Sequence, residues 1–271
     1  MISELNKNNF NSTNSIIAEL KNVTKIFYNR LPVIENLNLT IFKSDFLTLL
    51  GQSGCGKTTI LKILCGLLRP TNGKVVWPTS TFTNSENNPA NLSLVFQDPN
   101  LLPWLNVFDN VFLPLKLNNV TFQEASEPIS HCLKLVGLYD YKDYFPNQLS
   151  GGMKMRTAIA RALVTKPKVM LMDEPFGALD EITRFKLNND LLKIYKKYDL
   201  TIIFVTHSVF ESAYLSNKIA IISNTPGCLK EIINLSNNSR TDEYRLSTEY
   251  SNNCKYISKK LQKYSNENLN E

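Results

Sequence analysis

The segment GQSGCGKTT at residues 51–59 constrains the fold of this chain more than any other feature. It follows the apolar run FLTLL, which favours a strand, and precedes ILKILCGLL, which has the periodicity of an amphipathic helix. A glycine-rich loop in that context, with the spacing G-x-x-x-x-G-K-[ST], is typical of phosphate binding. We expect its backbone N–H groups to turn toward phosphate oxygens, and Lys57 to reach the β- and γ-phosphates of a nucleotide. The candidate nucleotide-binding residues of the loop are Gly51, Gln52, Ser53, Gly54, Cys55, Gly56, Lys57, Thr58 and Thr59.

Polar residues end three other apolar runs, and their chemistry suits a phosphate site. Asp173 and Glu174 follow KVMLM, Gln97 ends LSLVFQ, and His207 ends TIIFVTH. We expect Asp173 to hold a magnesium ion with the Thr58 hydroxyl, and Glu174 to orient and polarise an attacking water as a general base. Gln97 could reach the ion or the water, and His207 could contact the γ-phosphate. Each could instead be an ordinary polar strand end, so these predictions depend on the phosphate loop.

The order of apolar runs predicts an α/β fold with a parallel sheet. Short β-rich runs from Ile16 to Leu50 favour strands joined by hairpins, and KVVWP and LSLVFQ favour two more strands. Residues 98–163 favour helices broken by prolines, which indicates a mostly helical insertion. From Lys168 to Ser223 strands alternate with helices, which is typical of a parallel sheet.

The predicted domain boundaries follow these changes of pattern. Residues 1–15 are rich in Asn and Ser and are expected to be disordered. The main domain is expected at 16–236, where the helical insertion separates two parts of a catalytic lobe, 16–97 and 164–236. Residues 237–271 are expected to form a polar tail with one possible short helix around CKYISKKLQKY.

The segment LSGGMKMR, residues 149–156, contains a second glycine-rich helix start. Ser150 is a suitable N-cap, and four apolar residues between Met155 and Leu163 share one helical face. The two glycines weaken a first helical turn, unless the backbone must approach another group closely. A helix N-terminus attracts anions, so the pattern indicates that an anionic group approaches closely, and the residues alone do not identify that group.

Composition excludes several classes of site. The net charge of +6 permits an anionic ligand or membrane surface but does not require nucleic acid, and we expect none as a partner. Five cysteines without C-x-x-C spacing and only two histidines argue against a disulfide framework or a zinc site. The N-terminus lacks the apolar region of a signal peptide, and the longest apolar run is far shorter than the roughly 20 residues of a membrane span. We expect a chain that is soluble or held at a membrane by a partner.

Taken in order, these motifs resemble the ATP-binding subunit of an ABC transporter, from about Ile16 to Asn234. The chain shows the aromatic segment VTKIFY, the phosphate loop, the Q-loop VFQDPNLLPW, the signature LSGGM, the Walker B strand VMLMDEP, the D-loop GALD and the switch segment VTHS. The resemblance implies a P-loop NTPase fold of the ABC type, with a RecA-like parallel-sheet core, an antiparallel β subdomain and an inserted helical subdomain. It also implies an ATPase that uses ATP and Mg²⁺.

The resemblance assigns further roles around the nucleotide. Phe27 would stack on adenine, with Tyr28 as the alternative because the segment offers two aromatic residues. Gln97 would couple the nucleotide site to the helical lobe, and His207 would hold the γ-phosphate.

The resemblance also implies a homodimer with two ATP sites. Ser150, Gly151 and Gly152 would contact the γ-phosphate bound by the other copy, and Asp180 would cross the dimer interface. Met153 departs from the glutamine that is common after the two signature glycines, although this position is not essential for hydrolysis.

A narrower resemblance concerns the branch of the family. LLPWLNVFDNV, LSGGMKMR and MDEPFGALDEITR are similar to nitrate/sulfonate/taurine importers. ITRFKLNNDLL together with THSVFESAYLS is similar to members whose cargo includes pyrimidine precursors of thiamine. This implies an energy-coupling subunit for import of such an anion or precursor across the inner membrane. It would lie at the cytoplasmic face, bound to membrane permease subunits through a groove that includes Trp104 and Val107, and would act indirectly with a periplasmic solute-binding protein. Trp104 could also be a core residue.

Two other functions remain open at this point. One is a soluble ABC ATPase that is not part of a transporter, and the other is the ATPase subunit of an exporter. The single set of motifs, and the helical insertion of about 50 residues between Gln97 and the signature, favour a transporter subunit.

Overall fold

The computed structural model describes residues 15–28, 31–78, 92–224, 226–236 and 240–266. Apart from Ser15, the segment predicted to be disordered lies outside these residues. No helix within the described ranges is both long enough and apolar enough to span a membrane.

A six-stranded sheet forms the centre of the molecule. Its strands are, in chain order, β3 (Phe46–Leu50), β5 (Leu92–Val95), β6 (Val169–Asp173), β7 (Thr201–Thr206), β8 (Lys218–Ile222) and β9 (Leu229–Asn234). The spatial order is β5–β6–β7–β3–β8–β9, and neighbouring strands are parallel except for β8 and β9. Every residue of β3, β6 and β7 is buried, which explains their continuous apolar sequences. The predicted parallel sheet is confirmed.

The two faces of this sheet pack into two different cores. Met170 and Met172 of β6 belong to a core shared with the helical insertion, whereas Leu171 packs with α1 (Lys57–Leu64) and the antiparallel strands. The alternation follows from the strand geometry, in which successive side chains point to opposite faces. Cys55 of the phosphate loop belongs to the second of these cores, together with α1.

The antiparallel β subdomain is also confirmed. It consists of β1 (Ile16–Lys25), β2 (Ile34–Phe42) and β4 (Asn72–Val76), in the spatial order β2–β1–β4. Its buried residues pack on α1, so the subdomain covers the helix that follows the phosphate loop.

The insertion between β5 and β6 contains three helices, α2 (Val107–Leu117), α3 (Phe122–Leu135) and α4 (Gly151–Leu163), with short 3₁₀ turns at Tyr139–Tyr141 and Pro146–Gln148. The expectation that prolines break these helices was wrong, because Pro114 lies inside α2 and Pro128 inside α3. A proline removes one backbone hydrogen bond, but Val111, Ile129 and Leu133 on the same helices are fully buried. Core packing thus outweighs the lost bond.

The edge strand β9 was not predicted. Lys230 and Glu231 interrupt its apolar residues, and only one of its six positions is buried. It pairs antiparallel with β8 at the edge of the sheet. One face of an antiparallel strand can be exposed to water, so the strand does not need a continuous apolar sequence.

Four helices complete the described structure: α5 (Glu181–Tyr198), α6 (Val209–Leu215), α7 (Asp242–Arg245) and α8 (Thr248–Asn266). The predicted short tail helix is in fact the 19-residue α8. Ile257 is fully buried and Cys254 nearly so, because α8 packs against α6. Cys254 and Ile257 of the predicted tail are therefore part of the core.

Candidate active site

The segment 51–59 forms a tight loop between β3 and α1. Gly56 is the N-cap of α1 with φ of +94°, and Gly54 has φ of +85°, both in the left-handed region that favours glycine. A Cβ on Gly51 would lie 2.7 Å from the Cys55 sulfur and 2.7 Å from a backbone oxygen at the end of β8. Glycine is required at these positions by the shape of the loop itself.

Lys57 is enclosed by the loop. It is only 4% exposed, and its Nζ donates hydrogen bonds to the carbonyl oxygens of Gly51 at 2.9 Å and Gln52 at 2.8 Å. The same nitrogen lies 3.8 Å from a carboxylate oxygen of Glu174. A buried ammonium group surrounded by a backbone loop is well placed to bind an anionic phosphate, since charge-assisted bonds are strong where water is excluded.

The other loop residues differ in accessibility. Cys55 is buried, and burial raises the pKa of its thiol. Gln52 and Ser53 are exposed, and the Gln52 side chain accepts a hydrogen bond from the Asn224 amide. Thr59 is half-buried in α1.

Thr58 and Asp173 form the candidate cation site. The Thr58 hydroxyl donates to the Asp173 carboxylate at 2.9 Å. Burial raises the pKa of Asp173, and the hydrogen bond from Thr58 opposes this shift. A cation bound nearby would also favour the charged carboxylate. Hydroxyl and carboxylate oxygens are ligands that Mg²⁺ accepts, usually together with phosphate oxygens. The donor atoms present therefore fit this ion.

Glu174 and His207 lie side by side at the carboxyl ends of β6 and β7. His207 Nδ1 is 3.0 Å from Glu174 Oε2. Glu174 has φ of +43°, and its N–H donates to Val205 O at 3.0 Å, so the chain turns sharply at this residue. The His207 side chain is 54% exposed and that of Glu174 is 17% exposed. The pair combines a carboxylate that can accept a proton with an imidazole that is open to an entering ligand.

The direct contact between Glu174 and His207 was missed by the sequence analysis. The pairing of β6 with β7, in which Asp173 lies opposite Val205, brings the residues after the two strands together. Gln97 follows β5, the other neighbour of β6, and is exposed. Among the described residues, no hydrogen bond joins Gln97 to the Thr58–Asp173 pair.

The two candidate adenine-stacking residues have different surroundings. Phe27 is half-buried, with the Lys25 ammonium 4.9 Å from its ring centre. Tyr28 is 95% exposed and has φ of +51°. Both rings remain candidates, and the exposed one presents the larger free surface.

The signature segment begins α4 as its sequence predicts. Ser150 is the N-cap and accepts a hydrogen bond from the Met153 N–H at 3.3 Å. A Cβ on Gly152 would lie 2.7 Å from the Thr183 methyl carbon, and one on Gly151 would lie 3.3 Å from a Leu179 methyl. Close packing against the residues around the start of α5 therefore explains why glycine occupies both positions. The sequence alone did not predict this packing.

Asp180 has a local role as well. It is the N-cap of α5, and its carboxylate accepts a hydrogen bond from the Thr183 N–H at 2.9 Å. The hydrogen bonds from Thr183 hold the pKa of Asp180 below its ordinary value. This side chain is exposed, so a contact with a second chain remains a prediction.

The structure separates the two residues expected to contact a permease. Trp104 is 69% exposed, whereas Val107 is fully buried in the core of the insertion. The expectation for Val107 was wrong, because its side chain packs inside the helical bundle. Only Trp104 presents a surface.

Comparison with known proteins assigns the family. The chain matches the ABC transporter family over residues 34–177. An uncharacterized ABC transporter ATP-binding protein of Methanocaldococcus jannaschii is 44% identical over 220 residues, which cover 80% of this chain and 81% of the relative. The aliphatic sulfonates import ATP-binding protein SsuB of Bacillus anthracis is 39% identical over 219 residues, 80% of this chain and 85% of the relative.

Solved structures agree with this assignment. A dimeric ATP-binding cassette in a post-hydrolysis state, bound to ADP and Pi, has a TM-score of 0.69 and 30% identity, over 82% of this chain and 100% of that one. The cbiO1 protein of Clostridium perfringens, part of the ABC transporter complex cbiONQ, has a TM-score of 0.73 over 81% of this chain and 89% of that one. At 24% identity it shows likeness of fold alone. The phosphate loop, the carboxylates at the end of β6 and these matches lead to one conclusion: the chain belongs to the ABC transporter family, as an ATP-binding subunit that hydrolyses ATP.

Proposed function

We propose that this chain is the energy-coupling subunit of an importer for a small organic anion, with an aliphatic sulfonate as the first candidate cargo. The observation that carries the proposal is the 39% identity, over 80% of the chain, with a protein named for aliphatic sulfonate import. Nitrate-like, taurine-like and thiamine-precursor-like cargoes remain alternatives from the sequence resemblance.

In this proposal ATP binds with its phosphates in the loop around Lys57. Thr58 and Asp173, with Gln97 from the neighbouring loop, would hold Mg²⁺. The bound ion would neutralise phosphate charge. Glu174, whose carboxylate lies beside Lys57 and His207, would accept a proton from the attacking water, and His207 would hold the γ-phosphate.

The site would be completed by a second copy of the chain. Ser150, Gly151 and Gly152 would approach the γ-phosphate held by the partner's loop, and Asp180 would lie at the interface. A dimeric cassette at 30% identity supports this arrangement. A symmetric dimer would contain two such sites, and loss of the γ-phosphate would remove contacts that hold it closed.

The dimer would act at the cytoplasmic face of the inner membrane, on permease subunits, and indirectly with a periplasmic solute-binding protein. Trp104, which is 69% exposed in the insertion, is a candidate contact with the permease. An exposed aromatic side chain is typical of the anchors found at protein interfaces.

Reconstitution with the cognate permease and solute-binding protein tests the proposal. We expect ATP hydrolysis in proteoliposomes to rise severalfold when the binding protein carries an alkanesulfonate, with uptake of the labelled solute. Nitrate and taurine are tested in parallel, and a complex with the Glu174→Gln chain is the inactive control. Outward movement of solute, or hydrolysis that no permease affects, would contradict the import proposal.

A further inference from the structure

Two charged side chains outside the phosphate loop, Arg184 and Glu211, lie between the segment that follows Glu174 and the segment that carries His207. Arg184 is near the start of α5 and Glu211 lies in α6. Arg184 Nε is 3.8 Å from Glu211 Oε1. Glu211 is only 6% exposed, and a buried carboxylate requires compensation by charge or hydrogen bonds.

Arg184 holds the D-loop segment, defined here as residues 176–180. Its Nε donates to Phe176 O at 3.2 Å, and its Nη2 donates to Leu179 O at 3.0 Å and Gly177 O at 3.5 Å. One planar guanidinium thus fixes three backbone carbonyls of a short loop. A lysine could not do so with the same geometry, because its donors lie on a single nitrogen.

Glu211 holds the backbone around His207. Its Oε2 accepts a hydrogen bond from the Thr206 hydroxyl, whose oxygen accepts another from the Ser208 N–H at 3.0 Å. Thr206 and Ser208 are the two chain neighbours of His207, so these bonds restrain its backbone from both sides.

The second carboxylate oxygen of Glu211 depends on the charge of Arg184. Glu211 Oε1 is buried and has no hydrogen bond in the described part of the chain. Burial raises the pKa of Glu211, while the bond from Thr206 and the charge of Arg184 lower it. A buried oxygen without a hydrogen bond demands an explanation, and here the nearest compensating group is the guanidinium that also holds the D-loop segment.

We propose that Arg184 and Glu211 are positioning residues, which hold the D-loop segment and His207 in one arrangement around Glu174. The chain and these contacts form a closed ring. Glu174 contacts His207 directly, the chain runs from Glu174 into the D-loop segment, and the Arg184–Glu211 ion pair joins that segment to the residues around His207. Displacement of the D-loop segment, for example by a second copy of the chain, then moves His207 relative to Glu174. The inference rests on the proposed function, because Glu174 and His207 act on ATP only there.

Kinetics of two mild variants provide the first test. Glu211→Gln keeps the acceptor for Thr206 and removes the charge that faces Arg184, and Arg184→Lys keeps the charge and removes the planar fork. We expect kcat for ATP hydrolysis to fall about tenfold in each, with the Kd for ATP within twofold of wild type, because neither side chain touches the phosphate loop. The double variant should be no slower than the slower single variant, since both break one ring. Lys193→Ala, on the exposed face of α5, is the matched control.

The histidines provide a spectroscopic test that does not depend on hydrolysis. The chain has only two, His131 and His207, and His131 bonds to Tyr198 in a different region. We expect the imidazole Hε1 resonance of His207 to shift in Glu211→Gln and Arg184→Lys, while that of His131 stays in place. A His131→Gln variant assigns the two signals, and melting curves establish that each variant is folded.

The outcomes separate this inference from the proposed function. Wild-type kcat with an unmoved His207 resonance in both variants would overturn the positioning role, and so would a double variant whose loss is the product of the two single losses. If Glu174→Gln hydrolyses ATP as fast as the wild type, the part of the proposed function that makes Glu174 the general base fails. In that case a shifted His207 resonance still supports the structural link from Arg184 to His207.

Discussion

The phosphate loop and the signature segment both place glycines at the start of a helix, for different reasons. In the phosphate loop, Gly54 and Gly56 have positive φ, and a buried lysine lies where we propose that the phosphates bind. In the signature segment the glycines are helical, and their missing Cβ atoms leave room for Thr183 and Leu179 of the same chain. The groups that are expected to bind phosphate in the first region all lie within one chain. The second is packed against its own chain, and its proposed ligand comes from another.

The largest expected effect concerns the carboxylate beside the phosphate loop. Glu174→Gln should lower kcat about 1000-fold while ATP binding persists, because the amide cannot accept the proton of the attacking water. We also expect this variant to accumulate as a dimer in the presence of ATP. Phosphate release and size-exclusion chromatography with ATP measure the two effects. Glu127→Gln, exposed on α3, is the control, and rapid turnover by Glu174→Gln would disprove the base assignment.

Ser150→Arg tests the signature segment itself. It should lower hydrolysis at least about 100-fold, as expected for loss of a transition-state contact, and leave ATP binding to the monomer intact. Mixing it with the Lys57→Ala chain gives a decisive result. A head-to-tail heterodimer contains one intact site of two, and about half of the dimers in an equal mixture are heterodimers. The mixture should therefore recover up to about a quarter of wild-type activity. No recovery, with heterodimers shown to form, would contradict the trans arrangement.

Lys57→Ala tests the phosphate loop as a self-contained site. Removing a charge-assisted bond to phosphate should weaken ATP binding about 50-fold. Isothermal titration with ATP measures the loss, and Lys74→Ala, exposed in β4, should bind as the wild type does. An unchanged ATP affinity would count against the role of the loop.

Gly152→Ala separates the local reason for the signature glycine from its proposed one. The new Cβ would lie 2.7 Å from the Thr183 methyl carbon, and this overpacking should lower the free energy of unfolding by about 2 kcal/mol. Thr183→Ser removes that methyl group and keeps the hydroxyl, so the double variant should regain most of the stability in urea denaturation. If hydrolysis stays low in the stabilised double variant, the glycine has a second role. Equal stability of Gly152→Ala and wild type would refute the packing argument.

The smallest expected effect distinguishes Phe27 from Tyr28. Alanine at the residue that stacks on adenine should weaken ATP binding about tenfold, and alanine at the other should change it little. Fluorescence titration with a labelled ATP measures both variants. Equal affinities of both variants and wild type would remove the stacking role from this segment.

Local sequence was enough to identify the elements whose pattern is set by nearby residues. The phosphate loop depends on glycines and a lysine at fixed spacing, and β3, β6 and β7 depend on continuous apolar runs. Predictions failed where distant packing decides the outcome. Pro128 is tolerated because α3 is buried along one face, and α8 is stable because Ile257 packs against the core.

The sequence by itself determined the α/β fold, the phosphate loop and the identity of Asp173, Glu174 and His207 as candidate residues, because spacing and residue type define those features. Only the tertiary structure decided which of these side chains touch. The register of β6 and β7 places Glu174 against His207, and the packing of α5 on α4 leaves no space for a Cβ at Gly152. Such contacts join residues far apart in the chain, and their distances arise only when the sheet and helices have assembled around a common core.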